Sequence, residues 1–445
     1  MADVILPYQL EGAKWLAGRE RAGLHDEAGL GKTWTAIKAL DLAGLKRGLV
    51  IARAMLRHEW LMEHEKRSET PRRLVKGRTI HDFIAWKRGH FDVLLLSYEM
   101  ASKWAPHFAT LDDIIDFVIV DEAHFIRNPY AARTKFILGE GCDGYGSIIQ
   151  WARHVYHLTG TPMNKTPLDI WAFLRFAKAI PHSRHEFERD FFEAGDEDKL
   201  AEFREIYTGH ALRRTLKSVG YQMPPIHYTQ MRIDGSTAAV DKFFKEHPGL
   251  DARIVAALEA GNLSFIDNAH RMTLRRLFAE AKAVPFAAYL AEAIKNDEFD
   301  KVVVMGFHKS ALETIYNKLR LAGLRGFLVN GDTPEAARVD ARVKFQADPK
   351  ERFFIGNSTT AGAGITLHAA CNIFVFESEW NPGDNEQMIK RIRRIGQERT
   401  QHARFVTLAQ SYDETLIDII MRKTKEISAA QGADLLTLPE TSFAA

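Results

Sequence analysis

The sequence predicts an α/β chain built on two parallel sheets, and three observations predict it. Short β-branched apolar runs recur along the chain, longer amphipathic stretches separate them, and the runs fall into two series with a mostly helical stretch between. Continuous apolar strands bounded by Gly, Asp or Asn suit parallel sheets covered on both faces, because neither side of such a strand meets water. The first series is Gly48–Ala52, Asp92–Ser97, Phe117–Asp121 and Val155–Thr159. The second is Lys301–Gly306, Gly326–Asn330, Arg352–Gly356, Asn372–Glu377 and Ala403–Leu408. Between them, about Pro162–Pro285, helical patterns cover Leu168–Ala179, Phe187–Phe192, Lys199–Tyr207, Ala238–Lys245, Ala252–Ala260 and Thr273–Ala283. The Gly-rich patch Gly139–Gly146 reads as a flexible loop, since no Gly-Lys-Ser/Thr follows it.

Composition supports this picture and narrows it. The 445 residues are 46% hydrophobic and 27% charged, with 60 basic against 58 acidic side chains and a net charge of +2. A disordered chain would be poor in apolar residues and dominated by one sign of charge. At roughly 100–200 residues per domain, two to four domains are expected, each able to bury a core. Two cysteines, Cys142 and Cys371, build neither a disulfide framework nor a Cys-rich zinc site. The start, Met1–Pro7, shows no secretory signal, and apolar runs fall short of the roughly 20 residues a membrane span needs. The chain therefore reads as soluble and intracellular: cytoplasmic if bacterial or phage-encoded, nuclear if eukaryotic. The near-zero charge places any nucleic-acid contact in local basic segments, such as Arg271–Arg276 and Lys390–Arg394. On charge alone, a solvated helix face is the favoured reading of these runs.

Three motifs carry chemistry. The strongest is Asp26-Glu27-Ala28-Gly29-Leu30-Gly31-Lys32-Thr33, followed by the helical pattern Trp34–Leu40. A glycine-rich turn opening a helix aims several backbone N–H groups at one spot, and the helix N-terminus adds partial positive charge there. A lysine after the second glycine reaches the β- and γ-phosphates, and a threonine hydroxyl takes Mg²⁺. The strict spacing asks for Gly where Asp26 stands, so the motif alone leaves a chance Gly-Lys-Thr at a helix start open.

The second motif is Phe117-Val-Ile-Val-Asp121-Glu122-Ala-His124, an apolar strand ending in two adjacent carboxylates. Asp121 at the strand tip can hold Mg²⁺, and Glu122 can polarise an attacking water. Ligands gather beyond the carboxyl ends of strands in such sheets. An acidic helix start would give the same letters, but the upstream phosphate loop argues against that. His124 has no second His or Cys at ligand spacing and reads as a coupling residue. The third motif is Gln387-Met-Ile-Lys-Arg391-Ile-Arg393-Arg394-Ile-Gly-Gln397. Arg391 and Arg394, three apart, are expected to share one helical face. Two guanidinium groups there suit the charge that spreads over a γ-phosphate in transfer. A basic helix touching nucleic acid or solvent fits the spacing equally.

In this order the motifs resemble superfamily-two helicases, specifically the Swi/Snf-type double-stranded-DNA translocases, over nearly the whole chain. Leu6-Pro-Tyr8-Gln9 with Glu11-Gly12 and Trp15-Leu16 is similar to the adenine-reading Q motif. Asp26–Thr33 resembles the family's DEMGLGKT box, with Ala28 for the usual methionine, and that family also carries Asp at the first position. Leu49–Trp60 is similar to motif Ia (Arg53 replacing a proline), Ser97-Tyr98-Glu99 to motif Ib, Asp121–His124 to the DEAH box, and Leu158–Pro162 to motif III. Leu212-Arg-Arg-Thr215 resembles the segment ending the first lobe. Lys301–His308 is similar to motif IV, Ser358–Ile365 to motif V, and Arg391–Gln397 to motif VI, with Arg393 for the usual histidine. Lys282-Ala-Val-Pro285 and the Trp380-Asn-Pro-Gly form point to the distant branch of annealing helicases and fork remodelers.

The resemblance implies two RecA-like lobes with parallel sheets and helical insertions. Lobe 1 would span 1–225, with an insertion at about 163–210. The second half, 226–445, would hold an insertion at about 236–285, lobe 2 and a C-terminal helix. It implies a DNA-dependent ATPase that moves on double-stranded DNA, with ATP and Mg²⁺ as cofactors. Tyr8, Gln9, Glu27, Ala28, Gly29, Leu30, Gly31, Lys32, Thr33 and Gly364 would bind nucleotide, and Thr33 and Asp121 the metal. Lys32, Asp121, Glu122, Arg391 and Arg394 would be catalytic, the arginines arriving only on closure. His124, Thr159, Gly160, Thr161 and Gln387 would couple the nucleotide to DNA. Arg53, Arg57, Ser97, Tyr98, Thr359 and Thr360 would hold phosphates of the tracked strand without reading sequence. The expected molecule is a monomeric motor with no membrane partner; branched or forked DNA and a targeting subunit are left open. An RNA helicase, a catalytically dead scaffold and a metal-dependent nuclease are the competing readings. Trp-Asn-Pro and Arg-Ile-Gly-Gln point away from the first, and the intact site residues from the second. The lack of clustered carboxylates outside the DEAH box points away from the third.

Overall fold

The computed structural model describes residues 4–432 apart from 112, 164–166, 194–196, 261–265, 358–364 and 381. The chain divides into two compact units, Met1–Tyr221 and Gln222–Ala430.

The first unit is built on seven parallel strands: β1 (Arg21–Leu24), β2 (Gly48–Ala52), β3 (Leu74–Lys76), β4 (Val93–Ser97), β5 (Ile115–Asp121), β6 (Ala152–Leu158) and β7 (Ala211–Leu212), in the order β3-β4-β2-β5-β6-β1-β7. The continuous apolar runs are explained by burial on both faces. Leu49, Ile51, Leu94, Leu96, Val118 and Val120 enter one core, while Val50, Ala52, Leu95, Phe117 and Ile119 enter the other. Each fully buried side chain of this kind contributes about 1.5–3 kcal/mol by leaving water. Between β6 and β7 run the helices Trp171–Phe176, Arg184–Glu188 and Glu197–His210, with a π-helical turn at Arg189–Glu193. Their rings (Phe173, Phe176, Phe187, Phe191, Phe203, Tyr207) extend the first core. The patch Gly139–Gly146 is irregular and tied down: Gly144 N–H donates to Leu138 O (2.7 Å) and Arg21 Nη1 to Asp143 O (3.3 Å).

The second unit repeats the design with six parallel strands: β8 (Ile226–Ile233), β9 (Val302–Gly306), β10 (Arg325–Val329), β11 (Glu351–Asn357), β12 (Asn372–Val375) and β13 (Gln401–Leu408), in the order β10-β11-β9-β12-β13-β8. Val303, Met305, Phe354, Ile373 and Phe405 face one core; Val302, Val304, Phe353, Ile355 and Phe374 face the other.

All nine expected strands are present, with ends displaced by a few residues. The sequence reading missed β1, β3, β7 and β8 for identifiable reasons. Strands β3 and β7 are three and two residues long, and β1 carries Arg and Gly. Strand β8 lies at a sheet edge, and its residues alternate between partial burial and exposure rather than running apolar. The helix expected over Thr273–Ala283 is longer: it runs Asn268–Lys295, straight through Pro285. Proline removes the N–H that would bond the carbonyl four residues back, here that of Ala281. Gly235 lies against that carbonyl so closely that a Cβ there would stand 2.6 Å from it. Burial of Phe278, Ala283, Phe286, Ala287 and Leu290 holds the helix together across the break. Among the described residues, no helix is long and apolar enough to cross a membrane.

Candidate nucleotide site

In the first unit, the phosphate loop joins β1 to the helix Lys32–Leu42. Gly29 and Gly31 take φ of 99° and 79°, a region costly for any other L-residue. At Gly31 a side chain would also collide with the Gln9 amide. Gln9 is buried and ties the loop to the start of its own helix. Its nitrogen donates to Leu30 O (3.0 Å) and its oxygen accepts from Leu6 N–H (3.0 Å). The Tyr8 hydroxyl donates to the same Leu30 carbonyl (3.1 Å). Lys32 Nζ bends back over the loop and donates to Asp26 O at 2.8 Å and Glu27 O at 3.4 Å. Thr33 is the second residue of the helix.

Asp26, where the strict motif wants glycine, is fully buried and serves the loop's backbone geometry. Arg214 Nε donates to its Oδ1 (3.0 Å), Arg214 Nη2 to Oδ2 (2.5 Å), and the Arg214 backbone N–H again to Oδ1 (3.0 Å). Glu27 binds the same incoming segment, its Oε2 accepting from Leu216 N–H (2.9 Å).

The DEAH carboxylates stand at the end of β5. Asp121 is buried; Trp60 Nε1–H donates to its Oδ2 (2.8 Å) and the Glu122 N–H to its Oδ1 (2.9 Å). Burial, then the neighbouring Glu122 charge, pushes the Asp121 carboxyl up to about 6. Glu122 adopts left-handed φ 50°, ψ 46°. Its Oε2 lies 3.3 Å from His124 Nδ1, which also meets Thr159 Oγ1 at 3.2 Å. Thr159 Oγ1 in turn accepts from the Thr161 N–H (3.1 Å). A Cβ on Gly160 would stand 3.3 Å from Lys32 Nζ and 3.2 Å from the Ala28 nitrogen. The fold thus gathers the phosphate loop, Lys32, His124, Thr159, Gly160 and Thr161 at one end of the first sheet.

Two expected DNA contacts, Ser97 and Tyr98, need correction. Ser97 and Tyr98 face inward: Ser97 Oγ accepts from Met100 N–H (3.1 Å) to cap the helix Tyr98–Phe108, and the Tyr98 hydroxyl donates to Asp121 O (2.6 Å). Both are buried, so neither side chain is presented to a strand of DNA. Arg57 is engaged by the carbonyls of Gly77 (2.8 Å) and Ala54 (3.2 Å), and Arg53 stacks over Phe125 at 5.2 Å. Thr359, Thr360 and Gly364 lie outside the described residues.

In the second unit, Gln387 lies on the helix Pro382–Ile389 and is half-buried. That helix ends before Arg391 and Arg394, so the two arginines do not share a helical face. The chain instead tightens into turns, with Arg391 N–H bonded to Met388 O (3.1 Å) and Gln397 N–H to Arg394 O (3.0 Å). Gln397, the end of the Arg-Ile-Gly-Gln element, sets this shape. Its amide nitrogen reaches Ala370 O (2.8 Å), His368 O (3.0 Å) and Ile392 O (3.3 Å), with Gly396 at φ 100°. Arg391 is buried, and the Arg394 cation helps burial hold His368 below its usual range. A further link escaped the sequence reading. Glu377 Oε2 accepts from the N–H groups of Phe307 (2.7 Å) and His308 (2.8 Å), and Oε1 meets His308 Nδ1 (2.5 Å).

The SNF2-related domain model matches residues 8–280, and the helicase conserved C-terminal domain model matches 286–396. The chain belongs to the SNF2-related family. It thus carries both halves of a helicase-type ATP hydrolase. Proteins similar to the chain include the mouse DNA annealing helicase and endonuclease ZRANB3, 26% identical over 95% of this chain and 40% of that protein. Another is the Xenopus tropicalis SWI/SNF-related matrix-associated actin-dependent regulator of chromatin subfamily A-like protein 1, 24% identical over 96% of this chain and 45% of its own length. The chain thus spans less than half of these relatives. A solved SNF2-type structure, the Sulfolobus solfataricus SWI2/SNF2 ATPase core in complex with dsDNA, aligns over 98% of this chain and 96% of its own, at 20% identity and a TM-score of 0.45.

Proposed function

We propose that this chain is a DNA-dependent ATPase that couples ATP hydrolysis to movement on double-stranded DNA, with remodeling or annealing as the outcome. The convergence of the phosphate loop, the DEAH carboxylates and Thr159–Thr161 at one sheet end carries the reading, and family membership supports it. Lys32 and the loop N–H groups bind the phosphates, Tyr8 and Gln9 border the base, and Glu122 orients the attacking water through its bond network with His124. Asp121 and the Thr33 hydroxyl are hard oxygen donors, the kind that suits Mg²⁺, and the crowding of Asp121 by Glu122 is relieved by a cation. Bound Mg²⁺ would neutralise charge on the phosphates. The resemblance gives Arg391 and Arg394 of the second unit the part of arginine fingers, a role worth about 10³–10⁵ in rate. Arg53, and Thr359 and Thr360 of motif V, hold DNA phosphates. Partners would be duplex DNA, branched or forked forms included, in the host cytoplasm or a nucleus.

The test is ATPase rate against duplex, forked and single-stranded DNA and RNA at two salt concentrations. Duplex should stimulate most, and stimulation should fall steeply with salt because phosphate contacts release counterions. Equal or greater stimulation by RNA would favour the RNA-helicase reading.

A further inference from the structure

The Arg214–Asp26 pair joins two parts of the first unit that lie 188 residues apart in the chain. Arg214 forms three hydrogen bonds to the Asp26 carboxylate, its Nη1 donates to Tyr8 O, and its guanidinium lies 5.3 Å from the Tyr8 ring centre. Gly12 leaves the space this guanidinium crosses, since a Cβ there would stand 2.5 Å from Arg214 Nη2. The backbones are stitched as well: Glu27 N–H bonds Arg214 O (2.8 Å), His25 N–H bonds Leu212 O (2.8 Å), and Arg213 Nη1 bonds His25 O (3.0 Å). Segment 211–216 therefore closes around the phosphate loop, and the first unit ends soon after, at Tyr221.

We propose that Arg214 is a positioning residue that ties the phosphate loop and the Tyr8–Gln9 corner to the chain leaving the first unit. A loop rearranged by nucleotide then cannot move without moving residues 211–221. This rests on the reading that the loop binds nucleotide. A bidentate pair between a half-buried guanidinium and a buried carboxylate is rigid enough for the purpose, because its geometry is fixed in two directions at once.

The test is hydrogen exchange of the full chain, with and without a fluorescent ATP analogue and Mg²⁺, in the wild type, Arg214→Met and Arg214→Lys. In the wild type, nucleotide should slow exchange in both 26–31 and 211–221. In Arg214→Met, exchange in both segments should rise roughly tenfold to a hundredfold without nucleotide, as expected for losing charged hydrogen bonds. Nucleotide should then protect only the loop. Arg214→Lys, which keeps the charge and loses the fork, should fall between. Wild-type protection confined to 26–31 would overturn the link while leaving nucleotide binding intact. No protection of 26–31, with no fluorescence change, would overturn the functional reading and the link with it.

Discussion

Glu122 occupies the left-handed region, where a side chain costs of order 1–3 kcal/mol, and the surrounding bonds hold it there. Such strain is consistent with a residue placed for chemistry. Glu122→Gln should keep ATP affinity while lowering turnover by about 10²-fold or more, measured by comparing nucleotide binding with phosphate release; unchanged turnover would remove Glu122 from its role. Titration offers a second test. Burial and the Arg72 cation hold the His64 imidazole down to about 4, so the folded state favours its neutral form. The stability this carries is full above the ordinary value near 6.5 and is lost as pH falls toward 4, by about 3 kcal/mol at most. Buried His157, pushed down to about 3, adds to the same acid loss. His64→Gln should flatten the fall of Tm between pH 6.5 and 4, and an unaltered pH profile would contradict the assignment. At this scale the phosphate loop and DEAH box were legible because each motif is contiguous. The role of Asp26 was not, since its partner lies 188 residues along the chain.

At the scale of elements, burial on both faces made nine strands readable as apolar runs. The same criterion hid β3 and β7, too short to show a run, and β1 and β8, whose runs are brief or alternating; their pairing is decided by neighbours distant in sequence. The helical pattern visible over Thr273–Ala283 is part of a helix that continues through Pro285, because the apolar face on either side outweighs one lost hydrogen bond. Gly235→Ala should therefore destabilise the second unit by about 1–3 kcal/mol in denaturant unfolding, as overpacking against a backbone carbonyl does. Wild-type stability in that variant would show that the helix can shift to relieve the contact. The spacing of Arg391 and Arg394 suggested a helix that Gln397 replaces with turns. Likewise, Ser97 and Tyr98 matched a DNA-contact motif by letter while their side chains serve a helix cap and the Asp121 backbone.

At the scale of the whole molecule, two parallel-sheet units in one chain divide the chemistry. The first unit holds the loop, the carboxylates, His124 and Thr159–Thr161; the second holds Gln387 and the two arginines. Only family membership and the order of motifs join these halves into a motor. The most direct measurement is steady-state ATP turnover of the purified chain with and without duplex DNA, alongside Arg394→Ala, with nucleotide and duplex binding measured separately. Duplex-stimulated turnover is expected in the wild type, and the Arg394→Ala protein should bind both ligands yet lose the stimulated rate by about 10³-fold or more. No duplex-triggered turnover in the wild type, or a variant impaired only in DNA binding, would contradict it.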